Sequence, residues 1–271
     1  MKFYSYQLFI LFPALMNEQQ ERLQEELRSA LRAKVRGIGG STIAPFLRAI
    51  SNSISVSAVD AFLEKTYNSE FHGNVYTAIG LEAEKPIIEY YEASEKYPIL
   101  CSNKQMTIWK CDWHRRGSME QFQLVATPDL ITVSGKIIEI KNKINYRGKH
   151  PITPQHALQL VYYMCMLDYE QGSLVYFCPD PKGKTIDLVT EYQIKLTEKQ
   201  REFFYTNLIS CCEEIAGLMS DERLPWRVRN IATILYDYKR LYREAFSQET
   251  PLLINEWPSQ LDELYRQLCS D

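Results

Sequence analysis

The chain has 271 residues with 31 basic and 34 acidic side chains, a net charge of −3, and it is 45% hydrophobic and 12% aromatic. That hydrophobic content excludes a disordered tail, and the slightly acidic balance excludes a polycation that grips nucleic acid by bulk charge. Its seven cysteines form no C-x-x-C, and Cys211 and Cys212 are adjacent, so neither a disulfide scaffold nor a zinc or iron–sulfur site is indicated and a reducing, cytoplasmic setting is expected.

The opening MKFYSYQLFILFPALM resembles a targeting segment only briefly. Its apolar part is too short to span a bilayer, and polar residues follow in place of a small-residue cleavage site, so an arm packed on the body or on a neighbouring subunit is expected, with no membrane partner. Residues 17–34 read as a helix capped by Asn17, ending at the glycine turn RGIGGS (36–41). Three glycines there can turn tightly with backbone N–H groups facing outward. Helices are expected over 44–49, 56–65 and 80–92. From about 98 to 140 the pattern changes to strands: ILCSNK, MTIWKCDW, FQLVATPDLITV and KIIEI. Pro154 opens an apolar helix to about 168, strands follow over 173–179 and 186–194, and Thr197 with Gln200 caps a long helix to about 219. Two further helices are expected to close the chain. This order describes an α/β fold, a mixed β-sheet flanked by helices, in one domain over 1–271: arm and first helix over 1–35, core over 36–215, closing helices over 216–271.

The chemistry concentrates in the hairpin PDLITVSGKIIEIK (128–141). Glu139 and Lys141 share one strand face, with Ile138 and Ile140 on the other. An acid and an ammonium beside apolar strand residues must be paired, solvated or bound to a cation. Register decides whether Asp129 joins them. A two-residue loop at Ser134-Gly135 would set Asp129 on the opposite face; a three-residue loop with Gly135 left-handed shifts the pairing by one and brings Asp129 beside Glu139 and Lys141. We expect the second. Two carboxylates and a lysine on one face suit a phosphodiesterase: hard oxygens for Mg²⁺ or Mn²⁺, and an amine to orient water or offset negative charge. An exposed hairpin with an ordinary Glu–Lys pair is the plainer alternative.

A third acid comes from residues 80–92, where helical spacing puts Leu81, Glu84, Ile88 and Tyr91 on an inward stripe and Glu82, Lys85, Glu89 and Glu92 on a solvated one. Glu84 then needs a cation or an ion-pair partner. If the helix instead begins at Pro86, Glu82 takes its place. In the apolar helix 155–167, Gln159 is the central polar residue; it needs a partner, either a catalytic carboxylate, a substrate phosphate or a neighbouring backbone group. Beyond the hairpin, Lys141, Lys143, Arg147, Lys149 and His150 form a basic run able to hold duplex backbone. The histidines His72, His114, His150 and His156 show no ligand spacing and are read as structural or as phosphate contacts.

The order Glu84, Pro128-Asp129, Glu139-Ile140-Lys141, Gln159 resembles the PD-(D/E)xK nuclease superfamily, within it the phage lambda exonuclease and YqaJ-type viral recombinase group. Arg36 to Ala44 (RGIGGSTIA) and Phe62 to Thr66 (FLEKT) resemble two further motifs of that group, although Thr42 stands where an acid is usual and Pro86 lies one residue late. The resemblance implies a restriction-endonuclease-like core with two Mg²⁺ ions. Asp129, Glu139 and the Ile140 carbonyl would be metal ligands, and Glu84 would bind or orient metal. Lys141 would attend the attacking water, and Gln159 would support the site. Ser41, with Lys34 or Arg36, would hold a 5′-phosphate. It also implies a 5′→3′ exonuclease resecting linear duplex DNA for recombination, a toroidal homotrimer and a single-strand annealing partner. A repair or structure-specific endonuclease on the same core, and a non-catalytic nucleic-acid-binding protein keeping the fold, remain alternatives.

Overall fold

A computed structural model describes residues 37–68, 75–93, 99–115, 118–142, 152–180, 185–218, 223–237, 246–248 and 252–254. The N-terminal arm, the helix expected over 17–34, Lys34, Arg36, His72, Lys143, Arg147, Lys149 and His150 lie outside the described residues. The chain is α/β. Helices α1 (Gly40–Asn52), α2 (Val56–Asn68) and α3 (Val75–Ala93) precede strands β1 (Ile99–Ser102), β2 (Met106–Arg115), β3 (Ser118–Ala126), β4 (Leu130–Thr132) and β5 (Lys136–Asn142). There follow α4 (Pro154–Met166), β6 (Gln171–Asp180), β7 (Thr185–Lys195), α5 (Glu198–Gly217), α6 (Trp226–Tyr236), β8 (Phe246–Gln248) and β9 (Leu252–Ile254).

The main sheet is mixed, in the order β1-β4-β5-β6-β7-β8 with β9 also on β7; β5 and β6 run parallel and the other pairs antiparallel. Strands β2 and β3 form a separate two-stranded sheet. The stretch FQLVATPDLITV is thus not one strand. Pro128, without an N–H to donate, sits where the chain leaves the small sheet for the large one.

One apolar cluster joins α1, α2, α4, α5 and α6 to both sheets, from Ile38 through Phe46, Phe122, Leu160 and Leu174 to Leu235. α4 is buried on nearly every side, as its composition required. Pro154 begins it, and the Thr197–Gln200 capping box begins α5, both as read from sequence. Of the two closing helices expected, α6 is one; the described residues after it supply the edge strands β8 and β9, and residues 255–271 lie outside the described residues. On the sheet face carrying Lys136, a buried ion pair joins Lys136 Nζ to Glu191 Oε1 at 2.7 Å, and the Ser173 hydroxyl donates to the same oxygen at 2.5 Å.

Candidate active site

The hairpin sets the geometry. Leu130 pairs with Ile138 and Ile131 with Ile137, so the loop is the three residues 133–135, and Gly135 has φ +80°. That conformation costs glycine little and strains a residue with a Cβ. Thr132 locks the loop, accepting the Lys136 N–H on its hydroxyl at 2.9 Å, while the Gly135 N–H donates to the Thr132 carbonyl at 3.0 Å. Continued by one pair, this register puts Asp129 opposite Glu139. The Ile140 N–H donates to Asp129 Oδ2 at 2.6 Å, fixing that carboxylate at the strand end.

Glu139 is 1% exposed. One of its oxygens, Oε1, accepts from Lys141 Nζ and from Gln159 Nε2, each at 2.5 Å. The other, Oε2, is buried and accepts no hydrogen bond from the described residues. Burial first, and then the neighbouring charge of Asp129, push the Glu139 carboxyl up to about 8 against the opposing pull of Lys141. For Lys141, burial works against the ammonium, but Glu139, Asp129 and Glu84 outweigh it and raise its pKa, so it is a cation at neutral pH.

Glu84 is half-buried on α3, which packs on β5, and its charge acts on Lys141. The inward stripe of α3 differs from the one expected. The helix begins at Val75 and runs through Pro86; Glu82, Pro86, Ile87 and Tyr91 are its buried residues among those described, while Leu81 is 40% exposed. Glu82, expected on the solvated side, is 2% exposed, and Lys85 offsets its burial by donating to both carboxylate oxygens at 2.7 and 2.8 Å.

Gln159 is buried on α4, and its amide also donates to the Tyr163 hydroxyl at 3.3 Å. Tyr163 was not singled out from sequence, although its helical spacing from Gln159 was the available signal. Burial, together with the charge of Glu139, raises its phenol well above the ordinary range, so it stays protonated. Gly40 lies against this ring: a Cβ there would stand 2.4 Å from the Tyr163 hydroxyl.

The glycine turn therefore reaches the site through Gly40. Ile38 pairs with β3, its N–H donating to the Gln123 carbonyl at 3.0 Å and its carbonyl accepting from Val125 N–H at 2.9 Å. Thr42 folds back on the turn, accepting the Gly39 N–H at 2.8 Å. Ser41 is exposed in the first turn of α1.

Among the described residues no three His, Cys, Asp or Glu side chains form a complete metal-binding group. Mg²⁺ does not require one, because it keeps several waters and takes one or two carboxylates with substrate phosphate. Asp129 and the unsatisfied Glu139 Oε2 are hard oxygens on facing residues of the hairpin, and that donor chemistry fits Mg²⁺.

No protein-family model matches the chain, and no curated protein matches it. Among solved structures, the crystal structure of SSO0001 is similar over 77% of this chain and 99% of that chain, with 16% identity and a TM-score of 0.43.

Proposed function

We propose that the protein is a divalent-metal-dependent DNA phosphodiesterase on a restriction-endonuclease-like core, acting as a 5′→3′ exonuclease on linear duplex ends. The observation that carries this reading is the state of Glu139: one oxygen saturated by Lys141 and Gln159, the other buried without a donor, with Asp129 across the hairpin. A buried carboxylate oxygen without a donor calls for a further partner, and a cation is one that supplies it. Polarity, preference for ends, a trimer and an annealing partner follow from the motif resemblance alone.

In this reading Asp129, Glu139 and, as the motif resemblance implies, the Ile140 carbonyl would hold Mg²⁺, whose chemistry when bound would be to polarise the phosphate and lower the pKa of a water. Gln159 keeps Glu139 in one orientation, and the Ile140 N–H does the same for Asp129. Lys141, being cationic, does not accept the water's proton; it orients the nucleophile and offsets charge developing on the phosphate. Ser41, exposed at the start of α1, is offered to the terminal phosphate.

The test is digestion of linear duplex labelled at one 5′ end, with Mg²⁺ or with EDTA, beside Glu139→Gln and Lys141→Ala. Wild type is expected to release label only with Mg²⁺. Both variants should lose at least about a hundredfold in rate, and Lys141→Ala should keep its duplex binding. Cleavage in EDTA, or variants within a few-fold of wild type, would remove the proposed site. Cutting of closed-circular duplex would move the reading from exonuclease to endonuclease.

A further inference from the structure

A lysine ammonium on a flexible four-carbon stem acts at a defined point only when its surroundings hold it there. Lys141 stands beside Tyr176 in the parallel ladder of β5 and β6, on the sheet face that Gln159 of α4 reaches. Tyr176 is 2% exposed, its ring packs edge-on to Tyr192 at 6.2 Å, and the charge of Lys141 acts on its hydroxyl. That hydroxyl is anchored at the start of α4. It accepts the Thr153 N–H at 3.3 Å and shares a hydrogen bond of 2.8 Å with His156 Nδ1. The His156 ring lies tilted against Tyr176, centroids 5.6 Å apart.

His156, Gln159 and Tyr163 follow one another at i, i+3 and i+7, so they lie on one stripe of the helix. Gln159 holds Glu139, and His156, one turn earlier, holds the neighbour of Lys141. The same stripe thus reaches both members of the Glu139–Lys141 pair, one directly and one through a tyrosine.

We propose that His156 and Tyr176 are positioning residues for Lys141: His156, through the Tyr176 hydroxyl, fixes the Tyr176 ring as a wall that keeps the ammonium at Glu139 and at the reacting phosphate. The proposal rests on the nuclease reading for its purpose and on the hydrogen bonds above for its geometry.

The test uses the full chain and three variants: His156→Ala, Tyr176→Phe, which keeps the ring and removes the anchor, and His156→Asn, whose amide can replace Nδ1. On linear duplex with Mg²⁺, the first two should lower kcat by about tenfold with KM and Tm near wild type. The double variant should be no slower than the slower single, and His156→Asn should restore most of the rate. A second readout needs no activity. In metal-free protein, acylation of Lys141 by an amine-selective reagent, followed by peptide mass spectrometry, should be several-fold faster in His156→Ala than in wild type. Unchanged acylation with unchanged kcat would overturn the proposal. So would a fall in kcat matched by a fall in Tm and not rescued by asparagine, which would assign a packing role alone. A wild type inert on DNA would overturn the nuclease reading, and the acylation comparison would still decide this one.

Discussion

Glu139 serves two opposed demands. Buried with one oxygen unsatisfied, it weakens the fold as an anion, yet only as an anion does it attract a cation. Its folded carboxyl holds a proton up to about pH 8, against an ordinary value of 4.5, so folding takes up a proton between those limits. The stability this group contributes is therefore full below its unfolded pKa and is lost as pH rises through the folded one. In chelator, the stability of wild type relative to Glu139→Gln should fall as pH rises from 5 to 8, read by urea unfolding at each pH. Mg²⁺ should raise the Tm of wild type and leave that of Glu139→Gln nearly unchanged. Parallel pH curves, or equal responses to Mg²⁺, would show that Glu139 carries no such tension.

At the scale of elements, the site depends on how closely α1 approaches α4. The first residue of α1, Gly40, touches the Tyr163 ring, and Tyr163 meets Gln159, which holds Glu139. Gly40→Ala would force that ring aside, since a Cβ would lie 2.4 Å from its hydroxyl and 2.4 Å from Cζ. The expected cost is about 1–3 kcal/mol of stability, with a loss of activity that exceeds it because Gln159 is disturbed. Chemical unfolding and single-turnover rates on the same variant check this. Full activity in Gly40→Ala would show that the glycine turn and the carboxylates are independent. The hairpin is the second such element: its three-residue loop, not the strand sequence alone, brings Asp129 onto the face of Glu139.

At the scale of the molecule, a net charge of −3 gives a nucleic-acid partner little to hold by bulk attraction. Duplex affinity is expected to depend on divalent cation at the two carboxylates. Replacing EDTA by Ca²⁺ should tighten binding about tenfold or more without cleavage, and this gain should vanish in Glu139→Gln. Equal affinities in EDTA and Ca²⁺ would mean that the protein holds DNA elsewhere.

Much of the layout was legible beforehand, and for local reasons. Alternation put Glu139 and Lys141 on one face, the glycine in Ser134-Gly135 selected a three-residue loop, and the nearly all-round apolar sequence of α4 required a buried helix with Gln159 inside it. The inward stripe of α3 differs from the one expected because residues 80–92 offer more than one stripe with apolar members, and which of them is buried is set by packing against the rest of the fold, not by spacing along the helix. Tyr163 lies one turn from Gln159, a spacing the sequence does offer, whereas Tyr176 and the contact at Gly40 are not legible there, since each joins segments apart in the chain. Local pattern, then, determined which residues form strands, turns and faces, because spacing along a strand or helix fixes direction. Only the tertiary structure decided which faces meet, which Glu139 oxygen is left unsatisfied, and which side chain of β6 stands beside Lys141, because close packing between distant segments sets those contacts.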